Sequence, residues 1–247
     1  MISKSQIRFV KQLELKKYRQ RERLFVAEGP KVVGDLLTAG YLPKQLFATE
    51  EWGGKSDRQT PLLEIVTSGE LRKISFLQHP QQVLALFPVP DHPLPHPLST
   101  SAPSVQIALD NILEPGNLGT IIRIAVWFGI SQIVCSEDTV DAWSPKVIQA
   151  TMGSIARVNI VYTDLKYYLS HTTLPICGTL LDGEDIYQKQ LPKEAVIVMG
   201  NEGNGISSDI RSLITHRLLI PRFQEGAESL NVAIATAITC SEFRRRS

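Results

Sequence analysis

Two stretches near the C-terminal end of the 247-residue chain hold the residue types from which binding and catalytic loops are made. Val196 to Ser207 reads VIVMGNEGNGIS, and Leu218 to Ile238 reads LLIPRFQEGAESLNVAIATAI. Each opens as a short apolar run and then breaks into Gly, Asn, Glu and Ser. An uninterrupted run rich in β-branched residues has no polar side to show water, so Val196–Met199 reads as a strand buried on both faces. Gly200, Gly203 and Gly205 follow within six positions, which frees the backbone for positive φ or for close approach to another group. In the second stretch Pro221 stops a strand over Leu218–Ile220, and Ser229 stands as N-cap of a helix from Leu230 to about Arg244. Neighbouring strand ends that present loops on one edge are where open α/β sheets bind ligands. Taken alone, the glycine-rich turn is equally an ordinary turn, and it is not the G-x-G-x-x-G dinucleotide fingerprint.

A third stretch belongs with them. A strand over Val105–Leu109 runs into Asp110-Asn111-Ile112-Leu113-Glu114-Pro115-Gly116-Asn117, with Asn117 as cap of a helix over Leu118–Phe128. Arg123 sits in its second turn among Ile121, Ile122, Ile124, Ala125 and Val126, where burial of a guanidinium is costly unless it is paired or used.

The elements that must position these loops form two groups. From Val105 onward, strands alternate with helices: Gln132–Cys135, a helix near Pro145–Met152, Val158–Val161, a helix Asp164–His171, Ile176–Leu181, and then the two opening stretches. That alternation predicts a mostly parallel sheet covered on both faces. Upstream, strands at Leu24–Ala27, Gln45–Ala48, Leu63–Thr67 and Val83–Phe87, with helices at Gly29–Ala39 and Gly69–Ser75, describe a separate small α/β unit. Between them six prolines crowd residues 88–103, a composition that reads as an extended linker. The expected division is 1–88, a linker 89–104, and 105–247. His92 and His96 fall among these prolines, which prevent the regular helix needed to bring both to one metal, so they read as solvated linker residues.

Charge is uneven although it nearly cancels, with a formal net charge of +1. Residues 1–31 hold nine basic against three acidic side chains. Ile7, Val10 and Leu13 at three-residue spacing predict an amphipathic helix that docks its apolar stripe and turns its cations outward. Such a face serves phosphate contacts or is simply solvated. Cys135, Cys177 and Cys240 are scattered, odd in number and without C-x-x-C, which points away from a disulfide framework and a zinc site and toward a reduced, cytoplasmic setting. The first residues lack the apolar core of a signal peptide, and no run is long enough to span a bilayer.

Read in order, N-x-x-E-P-x-N-x-G-x-x-x-R from Asn111, the G-N-E-G-N-G loop from Gly200, and I-P-(loop)-E-S-L-N-V-A from Ile220 resemble the three motifs of the SpoU/TrmH family of SPOUT RNA 2'-O-ribose methyltransferases. The resemblance covers about residues 105–245. A weaker one, carried by Phe25–Lys31 and Leu36-Leu37, relates the upstream unit to the L30e-like substrate-binding domain. It implies an α/β fold with a SPOUT-type, mostly parallel sheet closed by a deep trefoil knot around Val196–Ile238, preceded by a small L30e-like RNA-binding domain. It also implies S-adenosyl-L-methionine as cofactor, a homodimer through the C-terminal domain, and methylation of a ribose 2'-hydroxyl in structured rRNA or tRNA.

Carried over residue by residue, the resemblance assigns Gly200, Ile220 and Leu230, with Thr179 as an addition, to the cofactor, and Arg123, Asn117, Glu202, Ser229 and Asn231 to the catalytic group. No metal is implied. Gly200 is expected to leave room for main-chain bonds, so that a bulky replacement blocks the cofactor. Glu202 is expected to hold Arg123 or a neighbouring backbone amide. Since arginine stays protonated in proteins, Arg123 is expected to orient the hydroxyl and stabilise a developing alkoxide; proton removal falls either to a transiently neutral Arg123 or to solvent. One departure stands out: the interval from Pro221 to Ser229 is one residue longer than the family spacing, and Arg222-Phe223 stands where Met is usual. Two other readings compete. A non-catalytic RNA-binding assembly factor of the same fold leaves Arg123, Glu202, Ser229 and Asn231 unexplained, and a nucleotide or NAD enzyme lacks its G-x-G-x-x-G.

Overall fold

The computed structural model describes residues 1–53, 62–91, 105–224, 226 and 229–245. Contacts divide the chain into two units, residues 1–91 with 141–156, and residues 92–140 with 157–247. Most of the expected linker, His92 and His96 included, lies outside the described residues.

In the first unit the chain runs α1 (Lys4–Gln12), α2 (Lys16–Glu22), β1 (Leu24–Glu28), α3 (Pro30–Thr38), β2 (Gln45–Ala48), α4 (Glu50–Gly53), β3 (Leu63–Ile65), α5 (Ser68–Ile74) and β4 (Val83–Pro88). The sheet order is β1-β4-β2-β3, with β4 antiparallel to both β1 and β2, and β3 parallel to β2. Period-two alternation sends Leu24 and Val26 into a core shared with Val10, Leu13, Leu71 and Ile74, where Ile7 and Phe9 pack from the side. The apolar stripe of α1 therefore docks as its spacing requires, and a capping box at Ser3 and Gln6 fixes where the helix begins.

Not every cation of the arm turns outward. Lys11 donates to the Ser75 carbonyl. Arg19 is buried and donates to the carbonyls of Leu13 and Glu14 at 2.7 and 2.6 Å and to Asp141 at 2.9 and 2.5 Å. A guanidinium carries five donors, enough to close a turn and hold a carboxylate at once. The same contact explains why residues 141–156, including helix Pro145–Thr151 (α7 in chain order), join the first unit although the sequence pattern groups them with the later strands. Trp143 packs on Phe25 with ring centroids 5.0 Å apart, and Phe25 on Phe87 at 5.7 Å.

The second unit contains β5 (Val105–Leu109), α6 (Pro115–Trp127), β6 (Gln132–Ser136), β7 (Asn159–Thr163), α8 (Leu165–His171), β8 (Ile176–Asp185), β9 (Ala195–Met199), α9 (Ser208–Arg211), β10 (His216–Leu219) and α10 (Val232–Arg245). Its six strands lie in the order β10-β8-β9-β5-β6-β7 and every pairing is parallel. Val196, Val198, Ala108 and Val134 meet Leu165, Leu169 and Ile210 in one core beneath α8 and α9. All strand carboxyl ends thus face one edge, and the three chemistry-bearing stretches emerge there after β5, β9 and β10.

One strand behaves differently from its expected form. β8 extends to Asp185 rather than ending at Leu181, but its pairing with β10 jumps from Arg217↔Gly178 to Leu218↔Glu184. Residues 179–183 are left out of that ladder, as in an enlarged bulge. Gly183 permits it: a Cβ there would lie 2.4 Å from the Leu218 backbone carbon.

Candidate active site

A cavity of about 570 Å³ opens at the carboxyl ends of the parallel strands. Its floor and walls are the released segment of β8 (Thr179 to Asp182), the loop from Met199 to Ile206, and Leu219, Ile220, Ser229 and Leu230. A second cavity of about 400 Å³ shares Leu181, Leu219, Ile220, Ser229 and Leu230 and adds Pro221 and Arg222. Thr179, Gly200, Ile220 and Leu230 therefore come together. The Thr179 hydroxyl donates to the Met199 sulfur at 3.6 Å.

The loop after β9 is held largely by Asn201. Its Nδ2 donates to the Asn111 carbonyl at 2.8 Å, and its Oδ1 accepts from the Gly203 and Asn204 amides at 2.9 and 3.1 Å. The Asn201 and Gly205 backbones exchange bonds of 3.0 and 2.9 Å, with Gly205 at φ 68°, a conformation open to glycine. The Ser207 amide donates to buried Asp110 at 2.7 Å. Asn111 itself takes φ 59°, which Asn tolerates better than most residues. At Gly200 a Cβ would lie 2.3 Å from Gly205 C and Ile206 N. The expectation that a side chain there would block the cofactor is thus corrected in its reason: it would first collide with the loop's own backbone.

Beside the cavity three side chains form a relay. Asn117 Nδ2 donates to Glu202 at 2.6 Å, and Asn231 Nδ2 donates to Asn117 Oδ1 at 2.9 Å. Asn231 Oδ1 in turn accepts from the Ala233 and Ile234 amides at 2.9 and 3.3 Å. The cap of α10 is therefore Asn231 rather than Ser229, and the helix begins at Val232 instead of Leu230. Asn117 is not a cap either. Pro115 fits the first helical position, where its missing N–H costs nothing, so α6 starts three residues early and Asn117 falls in the first turn with its amide free to bridge.

Arg123 is exposed on α6 and has no hydrogen-bond or ion-pair partner among the described residues. Arg123 is thus spared the cost of burial, and the partner of Glu202 among the described residues is the Asn117 side chain, not Arg123 or a backbone amide. Ser229 is exposed and lines both cavities. At the far wall Asp182 accepts from Arg211 at 2.6 Å and Arg217 at 3.0 Å. Desolvation works against this carboxylate, yet the two guanidiniums and its own backbone bond hold it below the usual range. Sequence reasoning gave no role to Asn201, Asp110 or Asp182. The first two lie inside quoted motifs, and their polarity at strand ends was the available signal; Asp182 enters only through the pairing jump in β8.

The cavity suits a ligand with a flat apolar part and a polar tail: Ile220, Leu230 and Met199 offer apolar surface, while the 200–206 turn offers main-chain groups. Among the described residues no His/Cys/Asp/Glu group is arranged to hold a metal.

A site at the carboxyl ends of an all-parallel sheet, built on these three motifs, defines a class that comparison with known proteins makes specific. The sequence profile of the SpoU rRNA Methylase family matches residues 104–241, and that of the MRM3-like substrate binding domain matches residues 4–85. The chain belongs to the SpoU rRNA Methylase family. Among its relatives, the Bacillus subtilis 23S rRNA guanosine 2'-O-methyltransferase RlmP is 28% identical, over 95% of this chain and 94% of its own length. A TrmH-family structure from Porphyromonas gingivalis is 39% identical, with TM-score 0.90 and full coverage of both chains. The AdoMet-bound rRNA methyltransferase of Sinorhizobium meliloti is 31% identical, with TM-score 0.87, covering 100% of this chain and 97% of that one.

Proposed function

We propose that the protein transfers the methyl group of S-adenosyl-L-methionine to a ribose 2'-hydroxyl of ribosomal RNA. The observation that carries this reading is the joining of the cofactor-type cavity at Gly200, Ile220 and Leu230 to the Asn117–Glu202–Asn231 relay, in a chain of this family. It is supported by the names of RlmP and of the AdoMet-bound neighbour.

When bound, the cofactor supplies a methyl group on a sulfonium sulfur that departs as a neutral thioether. Ile220 and Leu230 receive its purine, and the main chain around Gly200 binds its polar groups. Glu202 holds Asn117, and Asn117 holds Asn231, so three loops keep one spacing while the acceptor ribose enters. Ser229 offers a hydroxyl at the mouth. Arg123, exposed and without a partner among the described residues, is available to a substrate phosphate, and bound RNA that covers it would let it stabilise the oxyanion developing on the 2'-oxygen, an effect worth several kcal/mol once the cation is positioned and water excluded. Its exposure also leaves the hydroxyl proton a route to water.

The protein acts as a homodimer in this reading. Trp127 on α6 is 84% exposed and Ile234 on α10 is 54% exposed, an apolar face on two neighbouring helices that a second copy would cover. In the same reading the segments around β8, β9 and β10 form the trefoil knot that the family resemblance implies, which the non-sequential strand order β10-β8-β9-β5 supports. Outward cations of the first unit, such as Arg8, Lys16 and Lys17, contact RNA phosphates. Among the described residues no helix is long and apolar enough to cross a membrane, and the proposed setting is the cytoplasm, a reading supported by the likeness to a bacterial 23S rRNA methyltransferase.

The test is transfer of labelled methyl from the cofactor to ribosomal subunits, precursors and total RNA of a strain lacking the gene, followed by mapping of the alkali-resistant linkage. One methylated ribose is expected. Cofactor binding with no RNA fraction methylated would replace this reading with the assembly factor.

A further inference from the structure

Large apolar side chains stand exposed at the two cavities and next to them. Leu181, Phe223 and Leu230 are 80%, 93% and 48% exposed. Leu181 and Leu230 line both cavities, and Phe223 directly follows Arg222, which lines the smaller one. Single exposed apolar residues are ordinary, but a large aromatic exposed beside a cavity-lining residue is a candidate contact for a ligand. At 93% exposure Phe223 gains almost no burial from the fold. It is also where the sequence departs from its family, in a loop one residue longer than usual with Arg222-Phe223 in place of Met.

Sequence-specific recognition of RNA targets the unstacked bases of loops, bulges and ends, which lie on aromatic side chains. Among the described residues that line the two cavities none is aromatic, and Phe223 stands one position after Arg222, which lines the smaller one. The other strongly exposed aromatics are Trp127 on α6 and Tyr167 on α8, the latter against His171 with centroids 4.1 Å apart, and neither helix contributes a residue to either cavity. We propose that Phe223 is the stacking platform for the base of the target nucleotide, and so determines which nucleotide is accepted. The inference rests on the RNA methylation proposed above.

The experiment uses the full-length protein and the RNA mapped as its substrate. Phe223→Ala and Phe223→Leu should lower kcat/KM for RNA roughly 10- to 100-fold, the range for losing one base–aromatic stack, while Phe223→Tyr stays within about twofold. Cofactor affinity should not change. The decisive arm compares binding of the same RNA with and without the target base. Removing the base should weaken binding to the parent protein by roughly the same factor and leave the Ala variant indifferent. Equal losses in parent and variant would overturn the proposal, as would a Leu variant with parental activity. A shift of the Ala variant to a smaller assembly on size exclusion would also overturn it, by assigning Phe223 to a subunit contact. A parent that methylates no RNA would instead overturn the functional reading itself.

Discussion

The two loops that wall the cavity are built on opposite principles. The loop after β9 is closed on itself: Asn201 satisfies three partners, Gly205 pairs back to it, and Ser207 is tied to Asp110. Among the described residues after β10, Arg222, Phe223, Ser229 and Leu230 are all exposed, and the segment is fastened where Asn231 caps α10. A wall made of fixed main-chain groups suits a ligand that never varies, such as a cofactor. A wall of exposed side chains suits a polymer that must dock and leave. The relay from Glu202 through Asn117 to Asn231 links the two.

The largest effect should come from breaking the closed wall at its tightest point. Gly200→Val places a branched side chain where a Cβ is already 2.3 Å from backbone atoms. Calorimetric titration should show cofactor affinity reduced more than about 1000-fold, because the turn must open to admit the side chain. Asn201→Ala removes three hydrogen bonds from the same wall, worth about 2–3 kcal/mol together. Cofactor binding should weaken roughly 30- to 150-fold, again by calorimetry, with the sheet still folded by circular dichroism.

Cutting the relay should separate the walls without emptying the cavity. Asn117→Ala deletes a charge-assisted bond to Glu202, worth about 1.5–3 kcal/mol. Single-turnover methyl transfer should fall about 10- to 100-fold, while the cofactor dissociation constant moves less than about threefold. The smallest effect concerns the buried thiols of β6, β8 and α10. Burial pushes the Cys177 and Cys240 thiols up to about 12, and that of Cys135 higher still. A thiol reacts as thiolate, so all three should resist alkylation at pH 8 and react fully in denaturant, as mass spectrometry would show.

Much of this was legible in the chain, and the residues show why the rest was not. Val105–Leu109 and Gln45–Ala48 have the bounds their apolar runs indicate, because a run buried on both faces has no other place to be. The four-residue helices α4 and α9 carry too little periodicity to be seen. The release of residues 179–183 from β8 depends on where β10 pairs, which is a property of two strands distant in sequence. The attachment of residues 141–156 to the first unit depends on Arg19 reaching Asp141 across more than a hundred positions. At the site the motifs named the participating residue types, whereas their partners came from geometry: Glu202 meets Asn117 and not Arg123, because a helix that begins at Pro115 turns Asn117 toward the loop.

Arg123, exposed and without a partner among the described residues, is proposed to act on the substrate and not on the fold. The most direct measurement is single-turnover methyl transfer to the mapped rRNA at saturating cofactor, Arg123→Ala against the parent, with cofactor titration alongside. The account predicts a rate lower by roughly 1000-fold, in the range for loss of a transition-state charge partner, with unchanged thermal stability and cofactor affinity. Equal rates in the two proteins would contradict it.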